Sequence, residues 1–284
     1  MVRSPFDAVG GVRIAYRRVG VGPPLLVLNG FAATYADWEP SFIDRLASAN
    51  ELILLNNRGI GGSTNDGQPF DISQLAEDTA HVIENLGVER VNVMGWSMGG
   101  FIAQLFALKY PDRVDKLVLL STDCGGIEAD LASPGVWSEL IDTSGTPNEQ
   151  ARRLLFLLFP TDVAESLYLQ FGDIVAAARA QLPVDLLNRQ AAAMDAWHRD
   201  GVASQLQEIR VPVLIATGTE DIVIPPSNAL KLANAIPGAW LAQFPHGGHA
   251  FMAQYPRALA DLINSFVAVD DPRRGRADKR LRGL

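Results

Sequence analysis

Apolar residues in this chain gather into short runs separated by segments with helical patterning. Five of the runs, at 25–28, 52–55, 91–94, 117–120 and 213–216, contain almost no polar residue. Strands apolar on both faces suit a parallel sheet covered by helices on both sides. Helical patterns at 41–49, 72–86 and 101–109 separate the first four runs. Strands alternating with helices predict an α/β architecture with right-handed crossovers. At the start, strand-like runs at 6–9 and 12–16 flank Gly10-Gly11, the pattern of a tight hairpin. At the end, a strand candidate at 240–244 precedes a helical run at 256–267.

The rhythm breaks once. About ninety residues without a strong strand signal lie between the runs at 117–120 and 213–216, although a crossover needs only about a dozen. The segment is rich in helix formers and large apolar side chains, among them Trp137, Phe156, Phe159, Tyr168, Phe171 and Trp197. It is expected to form a helical cap, 126–205, on a core made of 1–125 and 206–268. Trp137 and Phe159 are expected to wall a pocket beneath it. The tail, 269–284, carries Arg273, Arg274, Arg276, Lys279, Arg280 and Arg282 and reads as a solvated terminus.

Composition narrows the function classes. With 284 residues, 48% hydrophobic and 20% charged, the chain can bury one substantial core with a small accessory layer. A net charge of −8 argues against a nucleic-acid surface. The longest purely apolar run, 154–159, is too short to span a bilayer, and residues 1–7 contain no apolar signal segment. Cys124 is the single cysteine; it cannot form an internal disulfide, and after an apolar strand it is expected to be a buried, inert thiol. Together these features predict a cytoplasmic protein. No metal or cofactor is expected: the sequence shows no metal-ligand cluster and no phosphate-cradling glycine loop, and Gly59-Ile60-Gly61-Gly62 lacks both the G-x-G-x-x-G spacing and an acidic residue placed for a ribose.

The chemistry concentrates in Gly95-Trp96-Ser97-Met98-Gly99, which follows the run at 91–94 and leads into a helix. A strand–turn–helix of the form G-x-S-x-G holds the serine on a strained bend with its hydroxyl raised at the carboxyl edge of a sheet. The helix that begins near Met98 aims its free amides at any oxyanion formed above Ser97. A serine hydroxyl needs a base, and the base needs an orienting acid. Of the four histidines, His81 falls in a helical pattern and His198 in the insertion. His246 and His249 share the loop after the last strand candidate, where a doubly wound sheet places ligands and catalytic groups. Asp221, after the strand at 213–216, is the best acid. Glu220 would point the other way in an extended turn, and Asp123, just after the preceding strand, is a second candidate.

The order Ser97, Asp221, His249 matches the chain order of the α/β-hydrolases, and residues 6–268 resemble that superfamily. Asn56-Asn57-Arg58-Gly59-Ile60-Gly61-Gly62-Ser63 resembles its D-x-R-G-x-G-x-S loop, with Asn57 at a position where the family usually has Asp. Gly218-Thr219-Glu220-Asp221 resembles its acid turn. Gly248-His249 followed by Gln254-Tyr255-Pro256 is similar to its histidine loop, which selects His249 over His246. The resemblance is greatest to small capped esterases and cofactor-free haloperoxidase-like enzymes. It implies a doubly wound, mostly parallel sheet with the cap inserted after the sixth strand. In Asn29-Gly30-Phe31 the family's His-Gly motif has Asn in place of His, and the resemblance makes the backbone amides of Phe31 and Met98 the oxyanion donors. Dehalogenases and epoxide hydrolases of this fold carry Asp in the elbow, so Ser97 points to acyl chemistry. The expected activity is hydrolysis of an ester, lactone or similar small compound with an apolar acyl group. Perhydrolysis, carbon–carbon bond hydrolysis, or a receptor that keeps its triad are the alternatives.

Overall fold

The structure, a computed structural model, describes residues 6–9 and 11–269. The basic residues of the tail therefore lie outside the described residues, as does Gly10 of the hairpin turn. The strands are β1 (Phe6–Val9), β2 (Val12–Val19), β3 (Pro24–Leu28), β4 (Glu51–Leu55), β5 (Val91–Trp96), β6 (Val114–Leu120), β7 (Val213–Gly218) and β8 (Trp240–Phe244). They form one sheet in the order β1-β2-β4-β3-β5-β6-β7-β8. The pairs β1–β2 and β2–β4 are antiparallel; every other pair is parallel. This is the α/β-hydrolase fold that the motifs imply.

From β3 the chain steps to β4 on one side, and β5 then lies on the other. Loops leaving the carboxyl ends of β3 and β5 diverge at such a reversal and open a crevice, the usual ligand site of a doubly wound sheet. The register keeps these ends level, with Leu28 paired to Gly95 and Gly95 to Leu119.

Successive residues of each central strand enter opposite layers, as the period of two requires. Leu26, Leu28, Val93, Leu117, Leu119 and Ile215 pack on the side of α2 (Ile72–Asn85) and α3 (Met98–Lys109). Leu25, Val27, Met94, Val118, Leu120 and Leu214 pack on the opposite side. There they meet Phe42 and Leu46 of α1 (Pro40–Ala47) and Leu259, Ile263 and Phe266 of α10 (Pro256–Ala268). Both layers are apolar because each strand is sandwiched, which is why its run has no polar alternation.

Between β6 and β7 stand α4 (Pro134–Ile141), α5 (Pro147–Leu158), α6 (Thr161–Arg179) and α7 (Val184–Asp200). Their starts are written locally. Ser133 accepts from the amide of Val136 at the head of α4, and Thr146 and Glu149 form a reciprocal capping box at the head of α5. α7 stops at Gly201, whose φ of 59° suits a residue without a Cβ. After β7 come α8 (Ser227–Ala235) and the one-turn α9 (Phe251–Gln254); α9 is too short for periodicity to reveal. Among the described residues, no helix is long and apolar enough to cross a membrane.

Candidate active site

Ser97 sits between the last residue of β5 and the first of α3 with φ 56° and ψ −123°, a left-handed conformation that costs a non-glycine residue energy. The bend is forced from both sides. A Cβ at Gly95 would run into the backbone of Gly99, and one at Gly99 into the carbonyl oxygen of Leu28. The elbow is also clamped to β6. The Ser97 amide donates to Leu120 O at 3.0 Å, and Thr122 Oγ1 donates to Ser97 O at 3.0 Å.

Asp221 and His249 meet at the carboxyl edge of the sheet. His249 Nδ1 lies 2.8 Å from Asp221 Oδ2 and 3.0 Å from Oδ1, with both side chains buried. The amides of Val223 and Ile224 each donate to Asp221 Oδ1 at 2.9 Å. These donors fix the direction of the carboxylate. Trp96 Nε1 donates to His249 O at 3.0 Å, and the two rings lie 5.5 Å apart. The residue before the nucleophile therefore pins the histidine's own backbone. Gln254 braces the same loop: its Oε1 accepts from Gly248 N at 2.8 Å, and its Nε2 donates to His246 O at 2.8 Å. That brace gives the histidine-loop motif a physical reason. Among the described residues, no hydrogen bond joins Ser97 Oγ to His249; such bonds commonly tighten only around a substrate.

The rejected alternatives go elsewhere. Glu220 turns to His246, with Oε1 2.9 Å from Nδ1, and Asp162 of α6 meets the other ring nitrogen at 3.1 Å. His246 is exposed, and its two carboxylate partners, Glu220 first, raise its pKa above the ordinary histidine value. His81 lies on α2 with Nδ1 2.9 Å from Glu77 O. Asp123, buried, takes no part at His249: its Oδ1 accepts from Gly125 N at 2.7 Å and Trp197 Nε1 at 3.0 Å. The Cys124 thiol beside it is buried, and desolvation pushes its pKa up to about 11.

Phe31 and Met98 flank the crevice on the loop after β3 and at the first position of α3. Neither backbone amide donates to a described acceptor. In the loop after β3, Asn29 Oδ1 accepts from Trp38 Nε1 at 2.7 Å and Nδ2 donates to Leu55 O at 2.6 Å. One amide side chain thus ties the end of β3 to β4 and α1's approach. The loop is held from above as well: Gln190 Oε1 of α7 accepts from Ala32 N at 2.9 Å. Asn57, by contrast, keeps a buried Nδ2 without a partner, while Arg58 beside it makes a two-pronged pair with Asp78 at 2.6 Å per contact.

A cavity of about 440 Å³ opens above Ser97. Its wall draws on Phe101 of α3, Trp137 and Leu140 of α4, Met194 of α7, and Val223 and Ile224 after β7. Trp137 thus lines the cavity as expected. Phe159 does not line it; it is buried in a core cluster with Leu155 and Ala164, beside Gly248 of the histidine loop. Sequence reasoning also missed His198, which lines the cavity with Asp123 behind it. A lone histidine within a helical pattern carries no signal that would have found it. No group of three or more His, Cys, Asp or Glu side chains is placed to share a metal ion among the described residues.

A family model described as the alpha/beta hydrolase fold matches residues 23–254. RutD of Azorhizobium caulinodans, named as a carbamate hydrolase, is 30% identical over 94% of this chain and 99% of its own. BpoC of Mycobacterium tuberculosis, named as a non-heme bromoperoxidase, is 27% identical over 90% and 98%. Among solved structures, a hydrolase from Pseudomonas aeruginosa PA01 superposes with a TM-score of 0.78 at 27% identity, covering 93% of this chain and 98% of that one. The enol-lactonase of Burkholderia xenovorans LB400 shares the fold with a TM-score of 0.82 at 23% identity, over 93% and 100%.

Proposed function

Because the chain belongs to the α/β hydrolase fold family, we propose that it is a serine hydrolase that cleaves an ester, lactone or similar acyl compound. The observation that carries this reading is the buried Asp221–His249 pair beside a strained serine elbow. Ser97 Oγ attacks the acyl carbonyl while His249 Nε2 takes its proton, with Asp221 holding the imidazole in the required tautomer. The tetrahedral oxyanion accepts from the Phe31 and Met98 amides, each worth about 3 kcal/mol to the transition state in a dry site. Collapse breaks the bond to the leaving oxygen, which leaves with the proton from His249. Water then repeats the sequence on the acyl-enzyme and frees Ser97. The inserted helices α4–α7 act as a cap, and the apolar side chains of the cavity favour an apolar acyl or leaving group.

The test uses activated esters and a small fluorophosphonate. Hydrolysis of p-nitrophenyl esters with labelling of Ser97, both lost in Ser97→Ala, is the expected result; full activity in Ser97→Ala overturns it. The likeness to a protein named as a bromoperoxidase makes hydrogen peroxide the informative second nucleophile. Peracid formed from acetate and peroxide faster than ester hydrolysis would move the activity to perhydrolysis by the same residues.

A further inference from the structure

The cavity above Ser97 holds a second His–Asp pair that the hydrolytic sequence does not use. His198 Nε2 is enclosed and lies 3.4 Å from Asp123 Oδ2. The carboxylate is held from behind, since its other oxygen takes both Gly125 N and Trp197 Nε1. The imidazole is gripped edge-on by Phe101 at 5.7 Å and Trp137 at 5.2 Å between ring centres. Its orientation is thus fixed by two rings and a charge, and no described residue hydrogen-bonds either ring nitrogen.

A buried carboxylate and an unsatisfied imidazole cost a protein stability when their only task is packing. A phenylalanine at 198 would fill the space between Phe101 and Trp137 without burying an unsatisfied ring nitrogen. The pair faces the same cavity as Ser97, in a wall that is otherwise largely apolar. The remaining charged residues of the lining are Asp130, which is paired with Lys231 at 2.6 Å, and Asp195 and Arg199, which are exposed and so belong to the mouth. Among the enclosed positions, the acid behind His198 disfavours an anionic ligand, and Nδ1, the ring nitrogen that does not face Asp123, suits a hydrogen bond to a neutral oxygen.

Resting on the serine-hydrolase reading, we propose that His198, positioned by Asp123, is a specificity subsite. It binds an uncharged oxygen function, a hydroxyl or ketone, carried on the apolar part of the substrate away from the scissile carbonyl. The preferred substrate is then an oxygenated acyl compound rather than a plain alkyl ester. A site built around such a hydrogen bond discriminates strongly against the analogue that lacks it, because its own polar group is left unpaired.

The experiment compares kcat/KM for p-nitrophenyl esters of equal chain length, one series plain and one bearing a hydroxyl or ketone at successive carbons. The expected result is a preference of roughly tenfold or more for one oxygenated position in the wild type, collapsing towards one in His198→Phe. His198→Gln, which keeps a polar atom, is expected to restore part of the ratio. Labelling of Ser97 by the fluorophosphonate reports whether each variant stays folded. Loss of both series in equal proportion would make His198 a structural residue, and no preference at any carbon would overturn the subsite. If no ester turns over at all, the hydrolase reading fails instead. Calorimetric binding of the matched hydroxy and plain carboxamides to the full-length chain then still decides the subsite, with equal affinities overturning it.

Discussion

The bend at Ser97 is set by a backbone that has no alternative. Gly95 and Gly99 are spaces the sheet and helix need, and the serine absorbs the resulting strain at φ 56°. Gly99→Ala should destabilise by about 1–3 kcal/mol and abolish labelling of Ser97, read by thermal unfolding and mass spectrometry. Asp221→Asn should lower kcat on the order of a thousandfold or more with the fold intact, since the imidazole loses both its tautomer and its counter-charge. An Asp221→Asn variant that keeps its rate while Asp123→Asn loses it would move the acid to β6. Positions set by backbone necessity were legible in the sequence, because glycines and strand ends leave marks in it. Asp123 left a mark too, but not its direction. Whether a carboxylate at that strand end turns to His249 or to His198 depends on Trp197 and on Gly125 N, groups that only the fold brings near.

Strands and their helices were legible because burial on two faces writes continuous apolar runs, and observed bounds depart from the pattern by a few residues at most. The orientation of α4–α7 was not. Trp137 and Phe159 carry equal hydrophobic weight in the sequence, yet one lines the cavity and the other a core layer, since amphipathic phase shows which face is apolar and not what it meets. Trp137→Ala should therefore shift preference towards longer or bulkier chains, by about tenfold in the ratio of kcat/KM values; an unchanged profile would remove α4 from the pocket wall. A polar contact joins the same insertion to the histidine loop, where His246 bridges Asp162 at the head of α6 and Glu220 beside Asp221. The folded pKa of His246 is raised above about 6.5 and that of Asp162 is lowered below 3.8. The histidine's contribution is thus fully present below about pH 6.5 and lost as pH rises through the raised value. The aspartate's is present above about pH 3.8 and lost as pH falls through the lowered one. The difference in Tm between wild type and His246→Gln should be largest below about pH 6.5, fade as pH rises through the raised histidine pKa, and shrink in salt. A difference independent of pH would mean that His246 acts only through packing.

At the scale of the whole molecule, stability is a small remainder of large terms, about 5–15 kcal/mol for a typical domain, so one enclosed charge can decide it. Arg58 and Asp78 are such charges: each side chain is 5% exposed, and they join the loop after β4 to α2. The guanidinium also lies 5.7 Å from the Phe70 ring and 3.5 Å from Asp66, which is too exposed to replace Asp78. The Asn56–Ser63 loop resembles a family motif, but nothing in the spacing of the sequence joins its arginine to a helix residue 20 positions later. A buried pair gains little over a well-packed apolar pair, because desolvation offsets the attraction; breaking it is what costs. Asp78→Asn leaves Arg58 enclosed with its neutralising partner gone and should remove about 3–5 kcal/mol, seen in urea as a lower midpoint at unchanged slope. The double variant Arg58→Met, Asp78→Leu should recover most of that loss, since neither charge is then stranded. If the double variant is as unstable as the single one, the pair acts by holding the loop in place through its directed hydrogen bonds, and the account in terms of a stranded charge is wrong.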